Sequence, residues 1–206
     1  MAHQLGTIQR KLSSLIEDFK RARDSWEEIN SHTLTTANAL TNAVLQSKYV
    51  DESQYWHPLL LMDFPNIIQK YDAKMNLIIT KHHSKLEDLT SKLEKQYNKM
   101  QIQLNELLAL YQSTKKTFGD DYIKQQPIYL TCPLLTYVNH MQSIVNMYQQ
   151  ELKTKQAISL QGLRSIDSRE KGMVLLSVWI NQPSLDKTAL QDWQDLCTTE
   201  MNPSLS

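Results

Sequence analysis

Apolar side chains return every three or four residues along the first part of the chain: Leu5, Ile8, Leu12, Leu15, Phe19, Ala22, Trp26, Ile29, Thr33, Thr36, Leu40 and Ala43. Alternating steps of three and four make a heptad seam, and runs such as EDFKRARDSWEE put charge on the other faces. The pattern predicts one long coiled-coil helix over 1–47. A helix of that length spans roughly 60 Å at about 1.5 Å per residue. A compact chain of this size has a radius of gyration of only about 17 Å. The pattern therefore predicts an elongated molecule.

The seam changes character in SHTLTTANALTNAVL, at 31–45, where Thr33 and Thr36 take seam positions and Ala37 and Ala39 stand beside them. Small residues let helices approach closely, and a threonine hydroxyl can bond a backbone carbonyl or a facing polar group. Polar seam positions cost stability and fix register and partner choice. Leucine at 33 and 36 is therefore expected to raise thermal stability while loosening partner choice.

Residues 48–65 read as a connecting loop with two prolines and an apolar cluster, holding a short helical turn at 59–62. Pro65 suits a first helical position. A second long helix is expected over 66–118, through Ile68, Tyr71, Met75, Ile78, His82, Leu86, Leu89, Leu93, Tyr97, Met100, Leu104, Leu107 and Tyr111. Repeated four-residue steps in it loosen the supercoil locally. Gly119 is the expected stop, and 119–132 a second loop whose PIYLT stretch has β-propensity but no partner strand. The C-terminal helical region is 133–206. There Pro133 opens a third helix with the seam Leu134, Val138, Met141, Val145, Tyr148, Leu152 and Lys155, and Gly162 ends it. Asp167 with Glu170 reads as a capping box. Pro183 stops the following helix, and Ser184 is the expected cap of a last one. The fold class is all-α: an antiparallel helical hairpin or coiled coil, with a third long helix and short C-terminal helices.

Composition narrows the chemistry. The chain has 206 residues, four of them glycine, against a usual ~7%, which fits helix and leaves no glycine-rich phosphate loop. Lysine plus arginine balance aspartate plus glutamate at 22 each, so no global field draws in nucleic acid or an acidic membrane. Short basic runs such as KRAR are interleaved with acids, so direct nucleic-acid binding is disfavoured. No apolar run reaches about 18 residues, so no membrane span is expected. MAHQLGTIQRKLSS offers no secretory signal. Cys132 and Cys197 lie in no motif and read as reduced thiols, with a single disulfide as the alternative. The helix start beside Cys132 could lower its thiol pKa. His82 and His83 point to different helix faces and lack metal-ligand spacing, though Glu87 lies four residues after His83. No catalytic, cofactor or metal residue is assigned, and the chain is expected not to be an enzyme. The apolar flanks Ile16, Ala37 and Val44, with Ile67, Ile79 and Leu108 beside the second seam, exceed what a two-helix hairpin covers. Each fully buried side chain of that kind is worth about 1.5–3 kcal/mol, which favours a covering helix from a partner.

Three short stretches, in order, resemble the cyclin-dependent kinase 2-interacting protein (CINP) family. They are TTAN at 35–38, nine residues after Trp26; MYQQELKTKQAI at 147–158, similar to its M-Y-x-x-E-L-x-x-K pattern; and VWINQP at 178–183, similar to its W-(L/I)-x-Q-P element. The resemblance implies a non-enzymatic adaptor working by helical heteroassembly. Its settings are DNA replication and checkpoint signalling, with cell-cycle kinases as contacts, and an AAA ATPase complex for large ribosomal subunit maturation. Its partners there are an AIRIM-type helical subunit and hexameric AAA ATPase subunits, and its location is the nucleus, with the cytoplasm second. Carried over by position, the partner-binding candidates are Trp26, Thr35, Thr36, Ala37, Asn38, Tyr148, Glu151, Leu152, Lys155, Trp179, Gln182 and Pro183, with Thr33 added from the seam. Glu151 and Lys155 also stand in the order of a surface pair worth about 0.2–0.5 kcal/mol. A homodimeric structural coiled coil, of kinetochore or tether type, is the alternative reading. This chain departs from the family pattern in its short amino terminus and its QYWHPLLLMDFP connection.

Overall fold

The computed structural model describes residues 2–201; Met1 and 202–206, the outer ends of the first and last expected segments, lie outside the described residues. Among the described residues the fold is all-α. Its helices are α1 (Ala2–Ser47), α2 (Pro58–Asp63), α3 (Ile67–Phe118), α4 (Asp120–Gln125), α5 (Leu134–Ala157), α6 (Arg169–Asn181) and α7 (Lys187–Met201). They form two compact units, each assembled from distant parts of the chain. One unit comprises residues through Glu27, Glu94–Leu152 and Pro183 onward; the other comprises Glu28–Leu93 and Lys153–Gln182.

The first unit is built around aromatic side chains on α1, α5 and α7. Phe19 meets Trp193 edge-on at 6.3 Å, Tyr137 meets Trp193 at 6.3 Å, and Trp26 meets Tyr148 at 5.1 Å. Such pairs add about 0.5–1.5 kcal/mol beyond the area they bury. Gln9 Nε2 donates to the Ile128 carbonyl at 2.6 Å. With Trp26 on Tyr148, that contact sets α5 parallel to this part of α1. Leu12, Met100, Leu107, Ile123, Leu134 and Met141 are also part of the buried interior.

Two of its loops differ from the sequence reading. Gly119 follows α3 at φ +90°, a backbone region left to glycine, but the residues after it form α4 rather than loop. Asp120, in the first turn of α4 where the helix dipole favours an acid, is bonded to Lys115 at 2.6 Å and to Lys124. The PIYLT stretch pairs with its own chain: Pro127 and Pro133 form one antiparallel bridge, and Ile128 N–H donates to the Cys132 carbonyl at 3.0 Å.

In the second unit α3 returns along α1. The Tyr71 hydroxyl donates to the Gln46 carbonyl at 2.9 Å, and Leu86 packs with Ala37 and Leu40. Pro65 lies in a turn ahead of α3, whose first residue is Ile67. The core here combines Ala37, Leu40 and Val44 with Leu86, Ile158, Leu163, Ile166 and Trp179. Residues 158–162 widen into a π-helical turn, closed by Leu163 N–H on the Ile158 carbonyl at 2.9 Å. Ser168, not Asp167, caps α6, accepting from Lys171 N–H at 3.3 Å, while Asp167 pairs with the Lys171 ammonium at 3.2 Å. The expected cap of α7 also shifts. Asp186 accepts from Thr188 and Ala189 N–H at 2.9 and 3.2 Å, a two-fold capping role that Ser184 does not take.

α6 lies so close to α1 that a Cβ at Gly172 would stand 2.8 Å from Thr41 Cγ2. Thr41 is buried and cannot swing away freely, because its hydroxyl donates to the Ala37 carbonyl at 2.9 Å. Gly172→Ala gains roughly 1 kcal/mol of helix propensity but overpacks this contact, at about 1–3 kcal/mol. A net loss of stability is expected. Thr41→Ser deletes the obstructing methyl and keeps the hydroxyl, so the double variant should recover part of the loss. Urea titrations of the four proteins test this as a cycle; purely additive effects would refute the contact.

Candidate interaction surface

The residues singled out by sequence fall into two groups. Trp26, Thr33, Thr36, Ala37, Tyr148, Glu151, Leu152, Lys155 and Trp179 are buried in the chain's own packing. Thr35, Asn38 and Pro183 are exposed, and Gln182 is half-buried. The small residues in the α1 seam make room for Trp179. Its Nε1–H donates to Thr33 Oγ1 at 2.9 Å, and the Thr33 hydroxyl in turn donates to the Asn30 carbonyl at 2.6 Å. Lys155 Nζ stands 4.6 Å from the centre of a Trp179 ring and donates to the Trp179 carbonyl at 2.8 Å. That places a cation on the carbonyl-rich end of α6, as the helix dipole favours. Gln182 closes the helix in the left-handed region, at φ +46°.

Glu151 and Lys155, read from sequence as a surface pair, are instead fully buried. Glu151 Oε2 accepts from Ser184 N–H at 3.3 Å, in the turn before α7. The flanks Ile16, Ala37 and Val44, expected to await a partner, are also buried, because the α5–α6 region and α7 supply cover that a two-helix hairpin lacks.

Thiols and histidines are placed in equally structural surroundings. Both cysteines are free. Burial pushes Cys197 up to about 12. It also raises Cys132, against a lowering contact from the Thr131 hydroxyl and with help from Glu200, so the expected dipole lowering is overturned. Thiols held high are weak nucleophiles. His83 is the buried member of the histidine pair, its Nδ1 lying 3.3 Å from Glu87 Oε2 and 3.0 Å from Arg164 Nη2. Among the described residues no three His, Cys, Asp or Glu side chains gather as a metal site. No described helix is long and apolar enough to cross a membrane.

Part of what stays uncovered is apolar. Among the described residues nearly every large exposed hydrophobic residue belongs to the second unit, Ile102 and Leu130 being the two outside it. α6 presents Met173, Val174 and Ile180 outward, while Gly172 and Trp179 face inward. The segment between α1 and α3 has no buried residue in its first turn or in α2. Leu59 is 63%, Met62 77% and Phe64 59% exposed. The sequence marks 48–65 as a connection carrying an apolar cluster, and it does not reveal the outward face of α6. A signal was present: MVLLSVWI is apolar all round, which marks a helix covered on every side. The first unit contributes a groove of about 380 Å³ lined by residues of α1 and α7, among them Arg10, Lys20 and Arg23, Glu17 and Asp24, and Trp193.

These features define an all-α protein whose distinguishing surface is uncovered hydrophobic side chains on one of its two units. The particular likeness is to cyclin-dependent kinase 2-interacting protein from Bos taurus. The two are 22% identical over 191 residues, covering 88% of this chain and 84% of the bovine protein, which makes the relationship a distant one. No family model matches the chain.

Proposed function

We propose that the protein is a non-enzymatic adaptor that works by helix-mediated contacts with other proteins in a cell-cycle or replication setting. The observation that carries this is the match to the bovine protein along nearly the whole chain, a relative whose name describes binding to a cell-cycle kinase. The uncovered apolar side chains of the second unit are in keeping with it, since they leave apolar area available to another protein. A finer reading adds an AIRIM-type helical subunit and hexameric AAA ATPase subunits as partners, large ribosomal subunit maturation as a second setting, and the nucleus as location. That part rests on the sequence motifs at 35–38, 147–158 and 178–183.

Tagged protein recovered from its own cells tests the reading. A cell-cycle kinase, or AAA ATPase subunits together with an AIRIM-type protein, should co-purify in stoichiometric amount. Light scattering on the isolated chain provides the contrast. A stable species of about twice 24.0 kDa, recovered from cells with no other protein, would replace the adaptor by a homodimeric coiled coil.

A further inference from the structure

We infer that residues 49–64 form a docking element whose occupant is an apolar groove edged by lysine and arginine on a partner protein. The inference rests on the adaptor reading and assigns it a surface and a partner chemistry.

Three observations converge on this segment. The first is exposure: Leu59, Leu60, Met62 and Phe64 all present large apolar area. Leu59 and Met62 are three residues apart on α2 and so share a face. The second is order. Trp56 Nε1–H donates to the Tyr49 carbonyl at 3.1 Å, and its ring packs edge-on against Tyr71 at 5.4 Å. Tyr49 stacks on Tyr55 at 4.5 Å, and His57 Nδ1 accepts from Leu59 N–H at 3.3 Å at the start of α2. The apolar side chains are therefore held on a formed scaffold, and little further ordering entropy has to be lost on binding. A short helix that lays one apolar face into a groove is a recurrent mode of recognition.

Charge selects among occupants. The chain as a whole is balanced, yet 49–64 holds Asp51, Glu52 and Asp63 and neither lysine nor arginine, so that with Lys48 at the start of its first turn the segment is still net acidic. All three acids are exposed. A second copy docked about a two-fold axis would bring like charges together, which costs affinity. An anionic lipid surface attracts basic segments and repels this one. A groove with a basic rim satisfies both the acids and the hydrophobic side chains between them.

The test uses the full chain with photoreactive benzoylphenylalanine at position 62, a second version carrying it at position 180 on α6, and irradiation in cells. Position 62 should cross-link to one protein, at a peptide flanked by lysine or arginine. The triple reversal Asp51→Lys, Glu52→Lys and Asp63→Lys touches only exposed side chains and should leave the circular dichroism melt unchanged. It should cut that cross-link about tenfold, and irradiating lysates at raised salt in place of intact cells should weaken it in parallel. Several results would overturn the docking element. Cross-links between copies of the chain would make it a self-association surface, and sedimentation with phosphatidylcholine vesicles in place of cross-links would make it a lipid contact. A cross-link indifferent to the charge reversal would remove the basic rim. Silence at 62 with protein cross-links at 180 would reject the docking element and leave the adaptor reading standing. Silence at both positions would reject the adaptor reading too.

Discussion

Trp179→Ala should lower the free energy of unfolding by about 3–5 kcal/mol, the range for deleting a buried tryptophan. Trp179 is 1% exposed and lies in a core with Ala37, Leu40, Leu86 and Ile166. Removing the ring also leaves Lys155, itself fully buried, without the aromatic face beneath its ammonium group. That desolvated cation moves the expected loss toward the upper end of the range. Trp179→Phe separates the two contributions, because it keeps a ring for Lys155 but deletes the N–H that donates to Thr33. It should cost far less, near the ~1 kcal/mol of one net hydrogen bond plus a small void. Urea denaturation followed by circular dichroism reads both. A Trp179→Ala loss below about 1 kcal/mol would mean the indole is not the anchor of this core.

The same geometry reverses an expectation drawn from sequence. Leucine at Thr33 should reduce stability, since it removes the indole's acceptor and places a larger side chain where the ring already fills the space. From sequence, threonines on a heptad seam look like positions kept for a partner. Nothing in the first 47 residues says that a tryptophan more than a hundred residues later is the group they accommodate.

That contrast marks the limit of what the sequence made legible. The long helices were readable because their burial is periodic: Ile8, Leu12, Leu15, Phe19, Ala22 and Trp26 are all buried, as the seam requires. The same holds for Leu134, Val138, Met141, Val145, Tyr148 and Leu152 on α5. A six-residue helix such as α4 has no period to detect, and the caps depend on one hydrogen bond at Ser168 and two at Asp186. Whether an apolar stripe is covered by the same chain or by another is a question of topology, which periodicity does not encode. The seams point to apolar surface along the long helices, whereas Leu59, Met62 and Phe64 on 49–64 and Met173, Val174 and Ile180 on α6 stand exposed. Gly172 carried a local clue, because a glycine inside a helix often marks a close backbone approach. Glu200 carried none.

Glu200 sits in the last turn of α7, the end where the helix dipole disfavours an acid. It is nevertheless 5% exposed and bound by an arc of donors on the loop before α5. Leu130 and Thr131 N–H reach Oε2 at 3.0 Å, Cys132 N–H reaches it at 3.2 Å, and the Thr131 hydroxyl donates to Oε1. Successive backbone N–H groups of this kind make an anion-binding concavity. Burial alone would raise the carboxyl pKa. The Thr131 hydroxyl and the three backbone donors outweigh it and hold the group at about 2, against 4.5 as the ordinary value. A carboxyl lowered on folding stabilises the protein wherever the unfolded chain would be ionised as well. Its contribution is therefore complete above roughly pH 5 and disappears as the pH falls toward 2. The difference corresponds to about 3 kcal/mol. Glu200→Gln should lose most of that at pH 7, because an amide offers one acceptor oxygen and turns its own N–H groups toward donors. The gap between wild type and variant should shrink to less than half by about pH 3, as the unfolded wild-type chain takes up its proton. Urea midpoints for both proteins across pH 7 to 3 decide the matter. A gap that stays constant with pH would show that Glu200 contributes through packing, and that its charge does not hold the 130–132 loop against α7.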